Sequence, residues 1–133
     1  MFDNHTEVPQ FIRVGKVSSV NRNNCTARVF FEDRDDVVSH DLRVIVKNTM
    51  NKKDYWLPDV DEQVVCIFLP NGEETGFIVG SVYSDVDRPP AEISNAGEER
   101  IGYWIDENNY IKWVAEERKF VVKSENPIEW VVG

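Results

Sequence analysis

From residue 11 onward the chain is a succession of short apolar runs closed by polar turns, and none of the runs has the 3.6-residue spacing of a helix. Such a pattern leaves architectures built from strands. Its clearest expression lies between Tyr55 and Tyr83. Residues 64–69 are a continuous apolar run, Pro70-Asn71-Gly72 breaks it, residues 77–79 form a second run, and Gly80-Ser81 breaks that. Runs this short, rich in β-branched and aromatic residues, predict a β-hairpin. Both strands read as buried, because a wholly apolar strand is poorly suited to having one face in water.

Three strands precede the hairpin. Residues 11–20 alternate with Ile12 and Val14 on one face, and Gly15 interrupts them as a bulge or bend would. Asn21-Arg22-Asn23-Asn24 is a turn, and residues 25–32 return with Cys25, Ala27, Val29 and Phe31 on one face. After the charged loop Asp33-Arg34-Asp35-Asp36 comes a third strand, Leu42-Arg43-Val44-Ile45-Val46, and residues 48–54 are a polar surface excursion. Five strands in about 75 residues describe a small all-β barrel, best matched by an OB-type barrel.

The character changes after residue 84. Pro89-Pro90 stiffens the chain and cannot sit in a central strand. The expected organisation is an N-terminal arm at 1–10, the barrel at 11–84, a linker at 85–97 and a separate C-terminal segment at 98–133. In that last segment four short strands, around Tyr103, Ile111, Val121 and Trp130, recur about every nine residues. Repetition at so short a period predicts a strand ladder or solenoid. Trp104, Trp113, Phe120 and Trp130 have no partner sheet in such a segment, although each large side chain contributes roughly 1.5–3 kcal/mol when fully buried. Open strand edges are also an aggregation hazard. Identical chains wrapped together resolve both problems, and a three-chain β-prism does so with closed symmetry. The candidate trimer-interface residues are Ile101, Tyr103, Ile105, Ile111, Trp113, Phe120, Val122, Ile128, Trp130 and Val132. The alternative is a meander folded back on the barrel, against which Pro89-Pro90 argues.

Composition narrows the function. A formal charge of −9 opposes nucleic-acid binding driven by counterion release and docking on anionic lipid, so no nucleic-acid partner is expected. No apolar stretch approaches the roughly 20 residues of a membrane span, and the polar start of the chain is not a signal peptide, which predicts synthesis in the cytoplasm. Cys25 and Cys66 read as small buried hydrophobes, and together with His5 and His40 they lack zinc-ligand spacing.

Chemistry-bearing clusters have plainer readings. Asp33, Asp35 and Asp36 lack the ordered loop of a calcium site. Glu73-Glu74 and Glu116-Glu117 read as turn charges rather than catalytic pairs. Ser39, His40 and Asp41 are adjacent, which is not the geometry of a triad. Lys47, Lys52 and Lys53 form a solvated loop. No catalytic, metal or cofactor site is expected, and the chain does not read as an enzyme.

The ordered set Arg13-Val14-Gly15-Lys16-Val17, Trp56-Leu57-Pro58, Glu62-Gln63-Val64-Val65, Pro70-Asn71-Gly72, Gly76-Phe77-Ile78-Val79-Gly80-Ser81-Val82-Tyr83 and Pro89-Pro90 resembles the phage baseplate assembly protein V family. These are the central spikes of contractile phage tails and phage-tail-like bacteriocins, with type VI secretion spikes as more distant relatives. The resemblance covers about residues 11–90, and the tail is similar in style rather than motif. It implies a homotrimer in a virion tail baseplate or phage-tail-like particle. An OB-fold collar would contact hub and tail-tube proteins, and an intertwined β-helix would meet the target envelope transiently and pierce it when the sheath contracts. Many family members end in a metal-binding His-X-His tip. Neither His5 nor His40 lies in the tail, so no metal tip is expected, and the strand-like end implies a truncated chain or a separate tip-capping protein. A contrasting expectation is an OB-fold binding module holding single-stranded nucleic acid or an oligosaccharide with Tyr55, Trp56 and Phe77, which the acidic composition disfavours.

Overall fold

The computed structural model describes residues 11–32, 36–70, 75–91, 93 and 101–133, and every regular element among them is a strand. The expected arm at 1–10, most of the Asp33–Asp36 loop, the Asn71-Gly72-Glu73-Glu74 turn and the stretch 94–100 lie outside the described residues. The chain divides into two compact units, Met1–Asp87 and Arg88–Gly133.

The first unit contains β1 (Ile12–Asn21), β2 (Thr26–Phe31), β3 (Val37–Val38), β4 (Leu42–Val44), β5 (Gln63–Phe68) and β6 (Gly76–Ser81). Its strands run in the order β1-β5-β6-β4-β2, and β2 pairs back onto β1. The sheet is therefore a closed five-stranded barrel, compatible with the expected OB type. All its pairings are antiparallel except β4 with β6, which is parallel. β3, absent from the sequence reading, adds two residues to the edge of β2 through Phe31↔Val37 and Phe30↔Val38.

Closure depends on β1. Its first half pairs with β5 from Ile12↔Ile67 to Lys16↔Gln63, and its second half pairs with β2 from Lys16↔Phe30 to Asn21↔Thr26. Gly15 lies at the bend, but it is not the expected bulge: it sits in regular register opposite Val64. Its inward position explains the glycine, because a Cβ there would lie 2.6 Å from both the Phe30 carbonyl oxygen and Val29 Cγ1. The irregularity falls three residues later, between Val17 and Ser19.

Alternation fills the interior. Val17, Ala27, Val29, Phe31, Leu42, Val44, Val64, Cys66, Phe68 and Ile78 form the core, and Trp56 and Leu57 pack against it. The β5–β6 hairpin departs from the expectation of full burial. Val64, Cys66, Phe68 and Ile78 point inward, whereas Val79 is exposed and Val65, Ile67 and Phe77 are half-buried. A barrel wall has only one inner face, so apolar residues on the alternate positions stand on the outside. Cys25 is likewise not part of a strand. It closes the β1–β2 turn with φ of 53°, and the Asn24 N–H donates to Asn21 Oδ1 at 3.1 Å.

The second unit is a meander of β7 (Ile101–Asp106), β8 (Asn109–Val114) and β9 (Lys119–Lys123). The fourth strand expected around residues 128–132 does not form: no strand is assigned beyond Lys123.

Two substitutions test the barrel interior. Gly15→Ala forces a methyl into backbone and is expected to lower the unfolding free energy by about 1–3 kcal/mol in urea denaturation. Thr26 Oγ1 is buried with no hydrogen-bond partner among the described residues. Thr26→Val removes that hydroxyl at nearly constant volume, so the urea midpoint should stay level or rise.

Candidate interaction face

Directly opposed residues in an antiparallel sheet share a face, so the register of the meander sorts its side chains. Ile101 pairs with Trp113 and Trp113 with Phe120; Tyr103 pairs with Ile111 and Ile111 with Val122. One face thus carries two rows of three, all apolar or aromatic. Trp113 and Phe120 meet edge to face, with ring centroids 4.8 Å apart. Little of this face is covered. Tyr103 is 76% exposed, Phe120 72% and Ile101 62%.

The opposite face has different chemistry. Gly102, Lys112 and Val121 form one row, and Trp104, Tyr110 and Lys123 form the next. Lys119 joins this face through its pairing with Val114. Trp104 and Tyr110 pack at 5.6 Å, while the Lys112 and Lys123 ammonium groups lie 5.3 and 5.8 Å from the Tyr110 ring. Gly102 makes this packing feasible: a Cβ there would come within 2.5 Å of the Trp104 ring. All three lysines of the strands stand here, so one face is suited to water and the other is not.

Six of the ten candidate interface residues therefore share one face: Ile101, Tyr103, Ile111, Trp113, Phe120 and Val122. Ile105 falls at the register shift between Trp104 and Asp106, outside the paired rows. Ile128, Trp130 and Val132 do not join it as a strand. The barrel carries a smaller apolar surface, missed by the sequence reading, in the outward row Ile12, Ile67 and Phe77, with Val14 and Val65 beside it. Strict alternation of large apolar residues on both sides of β5 was the available signal.

The three aromatics proposed as a binding platform are not gathered together. Tyr55 and Trp56 line a groove with Val20, Arg22, Leu57, Pro58, Asp59 and Val60, and Phe77 is not part of it. The Tyr55 hydroxyl donates to the Arg22 carbonyl at 2.9 Å, and the Trp56 indole N–H donates to the Ile45 carbonyl at 2.9 Å. Both polar handles thus fix the segment to the barrel.

Polar residues elsewhere hold structure. The Ser39 hydroxyl accepts from the Val29 N–H at 2.9 Å and donates to the His40 carbonyl at 2.7 Å, which ties the chain to β2. Asp41 pairs with Arg28 at 3.1 Å. Cys25 and Cys66 are both free thiols, and burial pushes the Cys66 thiol up to about 12, with the nearby Arg13 charge opposing. Arg13 lies 4.7 Å from the Phe68 ring centroid and 5.5 Å from that of Phe31. Among the described residues, no group of three or more His, Cys, Asp or Glu side chains is placed to hold a metal ion.

No protein-family model matches this chain, and a search of curated proteins returns no match either.

The β7–β8 turn that sets the register is held by Asp106. Its carboxylate accepts from the Asn108 N–H at 2.8 Å and from Asn109 Nδ2 at 2.9 and 3.1 Å. These bonds, the Asn108 amide foremost, lower its pKa below the ordinary 3.8. The turn's contribution is complete above that ordinary value and is lost as pH falls through the depressed one. In an acid titration followed by NMR, the Asn108 amide resonance is expected to move with a midpoint below 3.8. A midpoint at or above it would remove the carboxylate from the turn.

Proposed function

We propose that this chain is the structural central spike of a contractile injection system, a homotrimer whose barrels form a collar and whose C-terminal units form the shaft of a needle. The observation that carries the proposal is the exposed apolar and aromatic face of the β7-β8-β9 sheet, whose outer strands β7 and β9 each pair on one side only among the described residues. A monomer would leave that face in water. Three copies around an axis would turn the faces inward and the lysine-bearing faces outward.

The resemblance to baseplate assembly protein V supplies the biological setting, and part of its motif set falls within the barrel. Arg13-Val14-Gly15-Lys16-Val17 is the part of β1 where pairing passes from β5 to β2. Trp56-Leu57 packs on the core, and residues 76–81 are β6. These parts of the motif set thus lie in the barrel wall or against its core. In the proposed OB-type collar, the outward row Ile12, Ile67 and Phe77 offers apolar area for hub or neighbouring barrels. A spike works mechanically, so the chain needs no reacting groups. Its task is to stay folded as the sheath contracts and to present a narrow body to the target envelope.

Absolute mass in solution tests the assembly. The full chain should run at three times 15.4 kDa, and Ile111→Lys, which puts a charge in the centre of the apolar face, should shift it to the monomer. A full chain that is monomeric at high concentration would sink the spike reading. Removal of residues 98–133 should leave a folded, monomeric barrel. A trimer surviving that deletion would move the interface to the barrel.

A further inference from the structure

Arg13 stands where the barrel interior calls for an apolar residue. On β1 it shares the inward alternation of Gly15 and Val17, and it lies opposite Cys66 of β5. Its neighbours mark one end of the barrel: β1 begins at Ile12 and β6 at Gly76, while β2 ends at Phe31 and β5 at Phe68. The guanidinium carbon lies 4.7 Å from the Phe68 ring centroid and 5.5 Å from that of Phe31, and the two rings meet edge to face at 5.9 Å. Gly76 leaves the Phe68 ring its place, because a Cβ there would lie 2.6 Å from Phe68 Cδ1.

The charge in this clamp is unmatched. Arg13 Nε is fully enclosed and has no hydrogen-bond partner among the described residues, and none of their carboxylates pairs with the guanidinium. The Cys66 thiol is not the counter-charge, since burial raises its pKa to about 12 and keeps it neutral. Ring faces offset part of the cost of an enclosed cation, but an anion offsets more. Arg13 as a whole is half-buried, so its open end lies beyond Nε, at the two Nη atoms.

We propose that Arg13 anchors a binding site for a carboxylate carried on an apolar group, at the end of the barrel bounded by Phe31 and Phe68. The site stands apart from the trimeric reading, because every residue in it belongs to one barrel. A planar guanidinium fork matches the two oxygens of a carboxylate. One cation in apolar surroundings also selects a monoanion. A phosphate close to two negative charges would leave one of them uncompensated. The rim accounts for the apolar group. Phe11 and Leu69 are each 44% exposed, and both are fixed beside Phe68. The Phe68 N–H donates to the Phe11 carbonyl at 2.7 Å, and the Leu69 N–H donates to the Thr75 carbonyl at 2.8 Å.

NMR of the full chain, observing the Arg13 Nε–Hε resonance and the Cys66 and Phe68 amides, tests the site. At fixed pH and ionic strength, phenylacetate should move all three to a plateau, with half-saturation on the order of 1–10 mM. Acetate, which lacks the ring, should need about tenfold more. Inorganic phosphate and neutral phenylacetamide should give no plateau. Arg13→Met keeps an apolar stem of similar length, so the barrel should stay folded while both amides lose their response. Arg13→Lys keeps the charge without the fork and should weaken binding about tenfold. Peptides ending in Phe distinguish the source of the carboxylate. If the free acid binds at least as tightly as phenylacetate and the C-terminal amide does not bind, the site takes a chain terminus; if neither peptide binds, it takes a small acid. Three results overturn the proposal. One is no plateau with phenylacetate. Another is an equal response to phosphate, which marks a general anion effect. The third is an Arg13 resonance that moves without added acid when Asp33→Asn, Asp35→Asn, Glu73→Gln and Glu74→Gln are introduced, which places the counter-charge within the chain.

Discussion

A β-strand has two hydrogen-bonding edges, and both must be paired or tolerated in water. In the N-terminal unit this constraint is met by one strand. β1 gives its first half to β5 and its second half to β2, so the sheet closes on itself. The bend that makes this feasible requires the chain to pass close over β2, and Gly15 permits it because the Phe30 carbonyl occupies the space a side chain would need. The core follows from closure. Once the wall is a barrel, alternate residues of β1, β2, β4, β5 and β6 converge on a common interior, and Phe31, Leu42 and Ile78 fill it.

The C-terminal unit lacks such a device. Three strands joined by short turns form a ladder in which, among the described residues, β7 and β9 each pair with β8 alone. Its two faces are sharply divided. Lysines and a packed Trp104–Tyr110 pair occupy one, and two rows of apolar residues occupy the other. Aromatic contacts such as Trp113 with Phe120 stiffen the apolar face without covering it. An isolated sheet of this kind is marginal in water, because half of its apolar surface earns nothing from folding.

Much of this was legible from the order of residues. The barrel strands were readable because β2 alternates cleanly, with Ala27, Val29 and Phe31 inward. The face of the meander was readable for a related reason: turns at 107–108 and 115–118 keep apolar positions in register, so residues chosen by alternation alone fall together. What failed did so for physical reasons. β5 was read as buried on both sides because Val65 and Ile67 are as apolar as Val64 and Cys66, and sequence cannot tell a sandwiched strand from a barrel wall with an apolar exterior. For Gly15 the sequence left a bulge or a bend open, because a close approach of backbone from a distant strand leaves no local trace, and the bulge is excluded by its regular pairing with Val64. Two-residue β3 is below any periodicity. Residues 128–132 look like β9 in composition, yet pairing depends on a neighbouring edge and not on propensity.

That last difference connects the two units. Strand-forming sequence without an edge to pair with is inert in one chain and useful in several. Within the barrel, β1 brings two edges together by bending. Between copies of the meander, rotation about a common axis can do the same without any bend, since every copy offers an equivalent edge and an equivalent apolar face. A sheet closed by symmetry need not be stable alone, so its sequence is free to place lysines on the outer surface and large apolar residues on the inner one. It is also stiff along its axis, because a load on the shaft is shared by parallel ladders of hydrogen bonds. In the proposed spike, then, the self-sufficient barrel is suited to attachment and the dependent sheet to force. The features that make the second unit a poor monomer are those that a shaft requires.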